Sequence, residues 1–367
     1  MTASLKPLFL GLTAILLGVG VMLVFSASVS SRPGDPEVAY IAKHLVFLAL
    51  AAAIGGAASQ VSPETWRRLA PYLFLGTVVL LVLVLIPGLG VKVNGARRWF
   101  RMAGLSLQPS ELAKLTLPLY LATVLEKQRR VGATFRSDLA RMLGPLAGVS
   151  LLVLVEPDLG TAALLMATGA VVLWSGGWPL RRMLAAAVLA SPGLLGLLFL
   201  KPYQWQRITG FVDAWTAPHL APYQIRQSLL TLGVGGWFGQ GLGAGWQKLS
   251  YLPEANTDFV FSVVGEELGL VGTLSVVAAW IGLYVVGLRL IDERRGDWFA
   301  RTVGFTWLTM LVFQAALNIA VVTALVPPKG VSHPLISYGG TSLLVSVTIL
   351  GAFCGLMRPR DGSAVPE

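Results

Sequence analysis

The chain has a single cysteine, three histidines and only 13% charged residues, with 18 Asp and Glu against 28 Lys and Arg in 367 residues. One thiol excludes an intrachain disulfide framework and a cysteine metal cage. Cys354 falls in an apolar run and reads as a small core residue. So little charge, beside 55% hydrophobic residues and a mean hydropathy of +0.71, excludes an ordinary soluble domain.

What the chain has instead is a series of apolar runs, each long enough to cross about 30 Å of hydrocarbon as a helix. Ten are expected, at residues 8–29, 40–60, 70–87, 109–126, 139–156, 159–177, 183–200, 258–290, 300–326 and 337–357. The fold class is an all-α polytopic membrane protein of ten transmembrane helices, one domain over residues 1–367, with a long extracytoplasmic loop, 201–257, between helices 7 and 8. The first run follows Lys6 without a small-residue cleavage pattern and is expected to be retained.

The basic residues set the orientation. With the N-terminus inside, Lys6, Arg67, Arg68, Lys127, Arg129, Arg130, Arg136, Arg141, Arg181, Arg182, Arg289, Arg294, Arg295, Arg301, Arg358 and Arg360 all fall on the cytoplasmic side. The net charge of +10 is therefore mainly a topology signal. Scattered over short loops, it does not form a nucleic-acid patch. Positive charge that breaks the rule is more telling: Lys92, Arg97, Arg98, Arg101, Lys201, Arg207, Arg226, Lys248 and Lys329 lie outside. Acidic lipid headgroups account for any one of them; the group, with an acid on the same face, fits a phosphate-bearing lipid.

That acid is Asp258, in Pro253-Glu254-Ala255-Asn256-Thr257-Asp258-Phe259, where a polar loop becomes a long apolar segment. A carboxylate there needs a partner or a task. Helix capping is the plain account, with Asn256 as cap and Asp258 at the second helical position; general-base work is compatible with it. Glu111 and Lys114, three apart on one helix face, form either a structural ion pair or a phosphate-holding lysine oriented by Glu111. Gln314 and Asn318 read as interhelical hydrogen bonding. In the long loop, Trp205, Trp215, Trp237 and Trp246 suit a membrane surface. The glycines from Gly233 to Gly245 suit either close approach to a ligand or tight turning of a re-entrant segment.

Gly95-Ala96-Arg97-Arg98-Trp99, Gln108 to Lys114, Glu156-Pro157-Asp158-Leu159-Gly160, Tyr223 to Ser228, Gly241-Leu242-Gly243, Pro253 to Gly269 and Ser337-Tyr338-Gly339-Gly340 occur in the order found in the SEDS family of cell-wall polymerases (shape, elongation, division and sporulation), which the chain resembles over residues 95–342. FtsW, RodA and SpoVE are members, and the contexts of Tyr251 to Glu254, Gly265 to Gly269 and Pro328 to Gly330 look closer to FtsW. The resemblance implies a peptidoglycan glycosyltransferase that polymerises lipid II at the outer face of the bacterial inner membrane; the basic-residue pattern and the even number of spans put both termini in the cytoplasm. It implies a class B penicillin-binding protein as partner, for division or for cell-shape growth.

Asp258 matches the family's essential aspartate, and Trp99 and Lys114 match positions lining its substrate cavity. The family commonly has His where Asn256 stands, and His333 replaces a more usual Leu or Thr, so neither is assigned proton transfer. The expected chemistry makes Asp258 the base, with Lys114, Arg98 and Arg207 stabilising the pyrophosphate leaving group. Glu111, Glu254, Thr257, Lys329 and Ser337 complete the expected substrate contacts. Glu156, Asp158 and Asp258 leave room for Mg2+ or Mn2+, although no spacing specifies a metal. The alternatives are a lipid II flippase, which the lack of a fixed repeat or of inverted broken helices disfavours, and a scaffold that recruits the transpeptidase.

Overall fold

The computed structural model describes residues 5–29, 38–93, 95–102, 105–131, 135–188, 196, 202–245, 252–294 and 296–358. Asn94, Lys201, Trp246, Lys248, Tyr251, Arg295, Arg360 and most of the second half of the expected seventh span lie outside the described residues. The helices are α1 (Leu5–Val29), α2 (Val38–Ala58), α3 (Pro63–Leu85), α4 (Pro109–Val131), α5 (Phe135–Val155), α6 (Leu159–Ser175), α7 (Pro202–Thr216), α8 (Tyr223–Val234), α9 (Val260–Glu293), α10 (Trp298–Val322) and α11 (Gly340–Leu356). Residues 180–188 are also helical. Five of the helices, α1, α2, α3, α9 and α10, are long and apolar enough to cross a membrane by length and composition. The protein is thus a mostly helical, multi-pass membrane protein. In α4 the charges Glu111 and Lys114 near its start and Glu126, Lys127, Arg129 and Arg130 near its end lower its hydropathy, and α5, α6 and α11 have shorter apolar stretches.

Helix ends follow local chemistry. α3 begins seven residues before its apolar run because Ser62 accepts a hydrogen bond from Thr65 N and Pro63 occupies the first helical position. That extension brings Arg67 into a brace with Glu126 at 3.0 Å and Asp297 at 2.5 Å, while Asp297 caps α10 through Ala300 N. α2 and α11 touch backbone to backbone: a Cβ on Gly351 would fall 2.0 Å from Gly55 O, and one on Gly355 would fall 2.7 Å from Ser59 O.

The all-α expectation is corrected by a small antiparallel sheet in the third loop, β1 (Val91–Val93), β2 (Ala96–Met102) and β3 (Leu105–Leu107), in order β1-β2-β3. Val93 pairs with Ala96 and Gly95 takes φ +83°, so the turn at Gly95 closes the first hairpin.

The long connection is folded as well. α7, a 3-10 turn at Pro218–Leu220, and α8 lead into the glycine run. α9 breaks at Gly269 (φ +68°, ψ −165°), and the glycine loop repairs the break. Gln240 N and Gly241 N donate to Glu266 O and Glu267 O at 2.8 and 3.1 Å. Leu270 N and Val271 N donate to Gly236 O and Trp237 O at 2.9 and 3.1 Å. Lipid cannot satisfy backbone groups freed by a break, so a second chain segment must. A Cβ on Gly239 would sit 2.1 Å from Glu267 O. The glycines therefore serve close approach to α9 and tight turning, and none of them lines the cavity described below.

Candidate active site

Between Leu252 and α9 the chain runs through consecutive turns. Glu254 adopts φ +57°, left-handed backbone that a side chain with a Cβ rarely takes. Its carbonyl accepts from both Thr257 N and Phe259 N at 3.1 Å, and its carboxylate accepts from Thr257 Oγ1 at 2.8 Å. These turns delay the helix: its N-cap is Phe259, with no side-chain capping bond. The expected capping role for Asn256 and Asp258 is thereby corrected, and the Asp258 carboxyl faces a cavity instead.

The backbone around Asp258 is held from behind. Asn318 Nδ2 donates to Asp258 O at 2.7 Å and to Val331 O at 2.8 Å. Ser337 Oγ donates to Thr257 O at 2.5 Å and accepts from His333 N at 2.7 Å, and Tyr338 N donates to Asn256 O at 2.8 Å. The lack of a side chain at Gly330 lets the 328–331 segment approach; a Cβ there would stand 3.1 Å from Asp258 Oδ2.

Asp258 opens on a cavity of about 1190 Å³. Nine of the ten site residues expected from sequence line it: Asp258, Glu254, Thr257, Lys329, Arg207, Arg98, Trp99, Glu111 and Lys114. Ser337 does not. It is buried, with its hydroxyl committed to Thr257 O and His333 N, so it braces the turn.

Burial, then the negative charges of Glu254 and Asp158, push the Asp258 carboxyl up to about 7, against the pull of Arg207 and Arg98. A carboxyl half-ionised near neutral pH suits a general base. Lys329, lowered by burial and by the neighbouring Arg207, lies across the same wall, and Arg207 Nη1 donates to Pro328 O at 3.2 Å. Both cations point chemistry toward an anion.

Arg98 is engaged differently. Its Nε donates to Glu156 O at 2.9 Å, Nη2 bonds Pro157 O, and Nη1 lies 3.6 Å from Asp158 Oδ2. Arg98 thus ties the strand to the α5–α6 turn while facing the cavity. Asp158 caps α6 through Thr161 N and lines the cavity. Glu156 is fully buried, absent from the cavity wall and pushed up to about 8 by burial and Asp158. Among the described residues no three His, Cys, Asp or Glu side chains gather as a metal cage.

Deeper in, Lys114 Nζ lies 2.6 Å from Glu111 Oε1 and 3.1 Å from Gln314 Oε1, and Gln314 Nε2 donates to Ser332 O at 2.8 Å. The ion pair exists, and both partners also line the cavity. Lys43 and Arg101 also line the cavity, and Asn318 holds the Asp258 backbone, placements that sequence reasoning did not assign. Arg101 was legible as an outside charge, Lys43 as a charge near the start of a span, and Asn318 as an intramembrane amide.

The family model described as "Cell cycle protein", FtsW/RodA/SpoVE, matches residues 7–360. A probable peptidoglycan glycosyltransferase FtsW from Geobacter sp. (strain M18) is 39% identical over 355 residues, covering 96% of each chain. The like-named protein of Halorhodospira halophila is 40% identical over 362 residues, covering 95% of this chain and 90% of the relative. A chain of a peptidoglycan synthase complex, solved for its coordination of polymerization and crosslinking, superposes with a TM-score of 0.76 at 27% identity, covering 95% of this chain and 96% of that one. The rod shape determining protein RodA of Thermus thermophilus gives 0.69 at 29% identity, covering 95% of both. With the match running nearly end to end, the chain belongs to the FtsW/RodA/SpoVE family of cell cycle proteins.

Proposed function

We propose that this protein is a peptidoglycan glycosyltransferase that polymerises lipid II at the outer face of the bacterial inner membrane, its ten spans returning both termini to the cytoplasm. The observation that carries the mechanism is Asp258, a carboxyl pushed up to about 7 on the wall of a large cavity beside Lys329 and Arg207. The acceptor sugar hydroxyl gives its proton to Asp258 as its oxygen bonds the donor's anomeric carbon. The bond from that carbon to the pyrophosphate oxygen breaks with inversion, and the undecaprenyl pyrophosphate leaves with the electron pair. Lys329 and Arg207 stabilise the charge that develops there, and one carboxyl suffices because the leaving group needs no protonation.

A hydrated Mg2+ or Mn2+ uses one or two carboxylates with substrate phosphates; Asp158 or Glu254, both on the cavity wall, would hold it, and when bound it would neutralise leaving-group charge. A class B penicillin-binding protein is the expected partner, in keeping with a structural neighbour whose complex couples polymerization to crosslinking.

The test is lipid II polymerisation by the purified full-length protein, with and without that transpeptidase. Asp258→Asn should lower the rate by about 10²- to 10⁴-fold, the range for loss of a general base, with an unchanged melting profile. Near wild-type polymerisation by this variant would remove Asp258 from the chemistry. Lipid II crossing vesicles without polymer would point to transport, and neither activity to a scaffold.

A further inference from the structure

Among the described residues six cations line the cavity: Arg207, Lys329 and Arg98 lie toward Asp258, Lys114 is paired with Glu111, and Lys43 and Arg101 stand on other elements. Lys329 and Arg207 stand with Asp258 along the 328–331 segment. Lys43 and Arg101 line a different corner, built by α2, the β2–β3 hairpin and the start of α11. The contacts that build it are continuous. Lys43 lies one helical turn before Phe47, whose ring packs on Gly340 so closely that a Cβ there would fall 2.3 Å from it. The next residue, Thr341, donates to Ser106 O at 2.7 Å and accepts from Gln108 N at 3.1 Å. Ser106 is the ladder partner of Arg101. Lys114 and Glu111 lie on the wall between the two corners, where the buried Gln314 accepts from Lys114 Nζ, and Ser332 Oγ lies 3.1 Å from Ser342 Oγ.

The charge state of the Lys43 and Arg101 corner differs from that of the rest of the wall. Lys114 has Glu111, and Arg98 has Asp158. Lys43 and Arg101 are exposed, and among the described residues neither has a carboxylate within ion-pair distance. Two exposed cations on a cavity wall, neither paired with an acid among the described residues, suit an anion from outside.

The geometry points to Lys43 and Arg101 as a second phosphate subsite, holding the pyrophosphate of the acceptor lipid-linked saccharide while Lys329 and Arg207 hold that of the donor. This rests on the polymerase function proposed above. Joining two lipid-linked sugars brings two pyrophosphates into one cavity, and like charges require separate counter-charges. The acceptor's attacking hydroxyl must reach Asp258 from a sugar at the far end of its saccharide. Its pyrophosphate therefore belongs in a corner away from Asp258. Bulk anionic phospholipid offers the same phosphate chemistry and is the competing source.

The experiment uses the full-length protein in nanodiscs of zwitterionic lipid, with undecaprenyl pyrophosphate as the equilibrium probe and K43Q/R101Q as the variant. Wild type should bind two equivalents and the variant one. In kinetics, a lipid II analogue blocked at its acceptor hydroxyl serves only as donor. The half-saturating concentration of ordinary lipid II as acceptor should rise roughly tenfold or more in the variant, as expected for losing charge-assisted contacts, while that of the donor-only analogue moves less than about twofold. One equivalent bound by wild type, two by the variant, or equal loss on the donor side would overturn the assignment. So would phosphatidylglycerol at ordinary membrane content displacing the second equivalent, which would give the corner to bulk headgroups. Two equivalents bound by a wild type that makes no polymer would support the phosphate subsite and overturn the polymerase function.

Discussion

Asn318 and Asp258 are joined through a backbone atom: the Asn318 Nδ2 group donates at 2.7 Å to the Asp258 carbonyl and, with its second N–H, at 2.8 Å to Val331 O. One buried amide thus fixes the base against the segment that carries Lys329. Asn318→Asp leaves an oxygen where two carbonyls need donors. We expect kcat to fall by about tenfold or more, as for loss of buried hydrogen bonds worth roughly 1–3 kcal/mol, with KM for lipid II little changed. Unchanged kcat in a folded variant would show that the clamp is not needed for chemistry.

The pH profile should follow Asp258. Its carboxyl is raised to about 7, so the base form, and with it polymerisation, should increase as pH rises through that region. Glu254 is the largest charged contributor to that rise. Glu254→Gln removes a like charge and should move the acid limb toward lower pH. Because burial and Arg207 lower the Lys329 pKa, the alkaline limb should lie below the ordinary lysine range. A rate profile measured from pH 5 to 10 on both proteins decides the matter; an acid limb that stays in place on substitution would assign it to another group.

Lys114 is nearly enclosed, with Glu111 and Gln314 as partners. Lys114→Met strands a buried carboxylate and should destabilise the protein by about 3–5 kcal/mol. The double variant Lys114→Met, Glu111→Leu removes both charges and should recover most of the melting temperature without recovering polymerisation. Recovery of activity together with stability would reduce Lys114 to a purely structural role.

Gly269 cannot be replaced cheaply. Its φ of +68° with ψ of −165° is a conformation held essentially by glycine, and a Cβ would fall 2.3 Å from Gly239 N. Gly269→Ala should lose about 3 kcal/mol or more of stability, seen as a lower melting temperature and increased proteolysis of the 236–241 loop. A wild-type melting profile would mean that α9 can straighten without its splice.

Much of the site was readable because it is built from short-range order. The Glu111–Lys114 pair follows from a three-residue spacing on a helix, and Asp258 stood out as an acid at the edge of an apolar run. The Asn94-Gly95 connection within Val91 to Trp99 was a hairpin signal overlooked beside the hydropathy of its surroundings. Ser337 was expected to touch substrate, yet hydroxyl groups also satisfy buried backbone, and here that use prevails.

The sequence by itself determined that the chain is a multi-pass membrane protein and where most of its helices run, because each apolar segment must satisfy its own backbone in lipid and does so locally. It also determined the family and the chemistry-bearing residue types. Tertiary structure decided which charges meet. Lys43 is separated in sequence from Arg101, as Asn318 is from Asp258, and only packing brings each pair to one place. Packing likewise put Asp158 on the cavity wall and turned Glu156, two residues earlier, away from it. The break in α9 depends on a loop about thirty residues upstream supplying four backbone hydrogen bonds. Periodicity and hydropathy report the cost of placing a residue in lipid; which distant groups satisfy one another depends on how the helices pack.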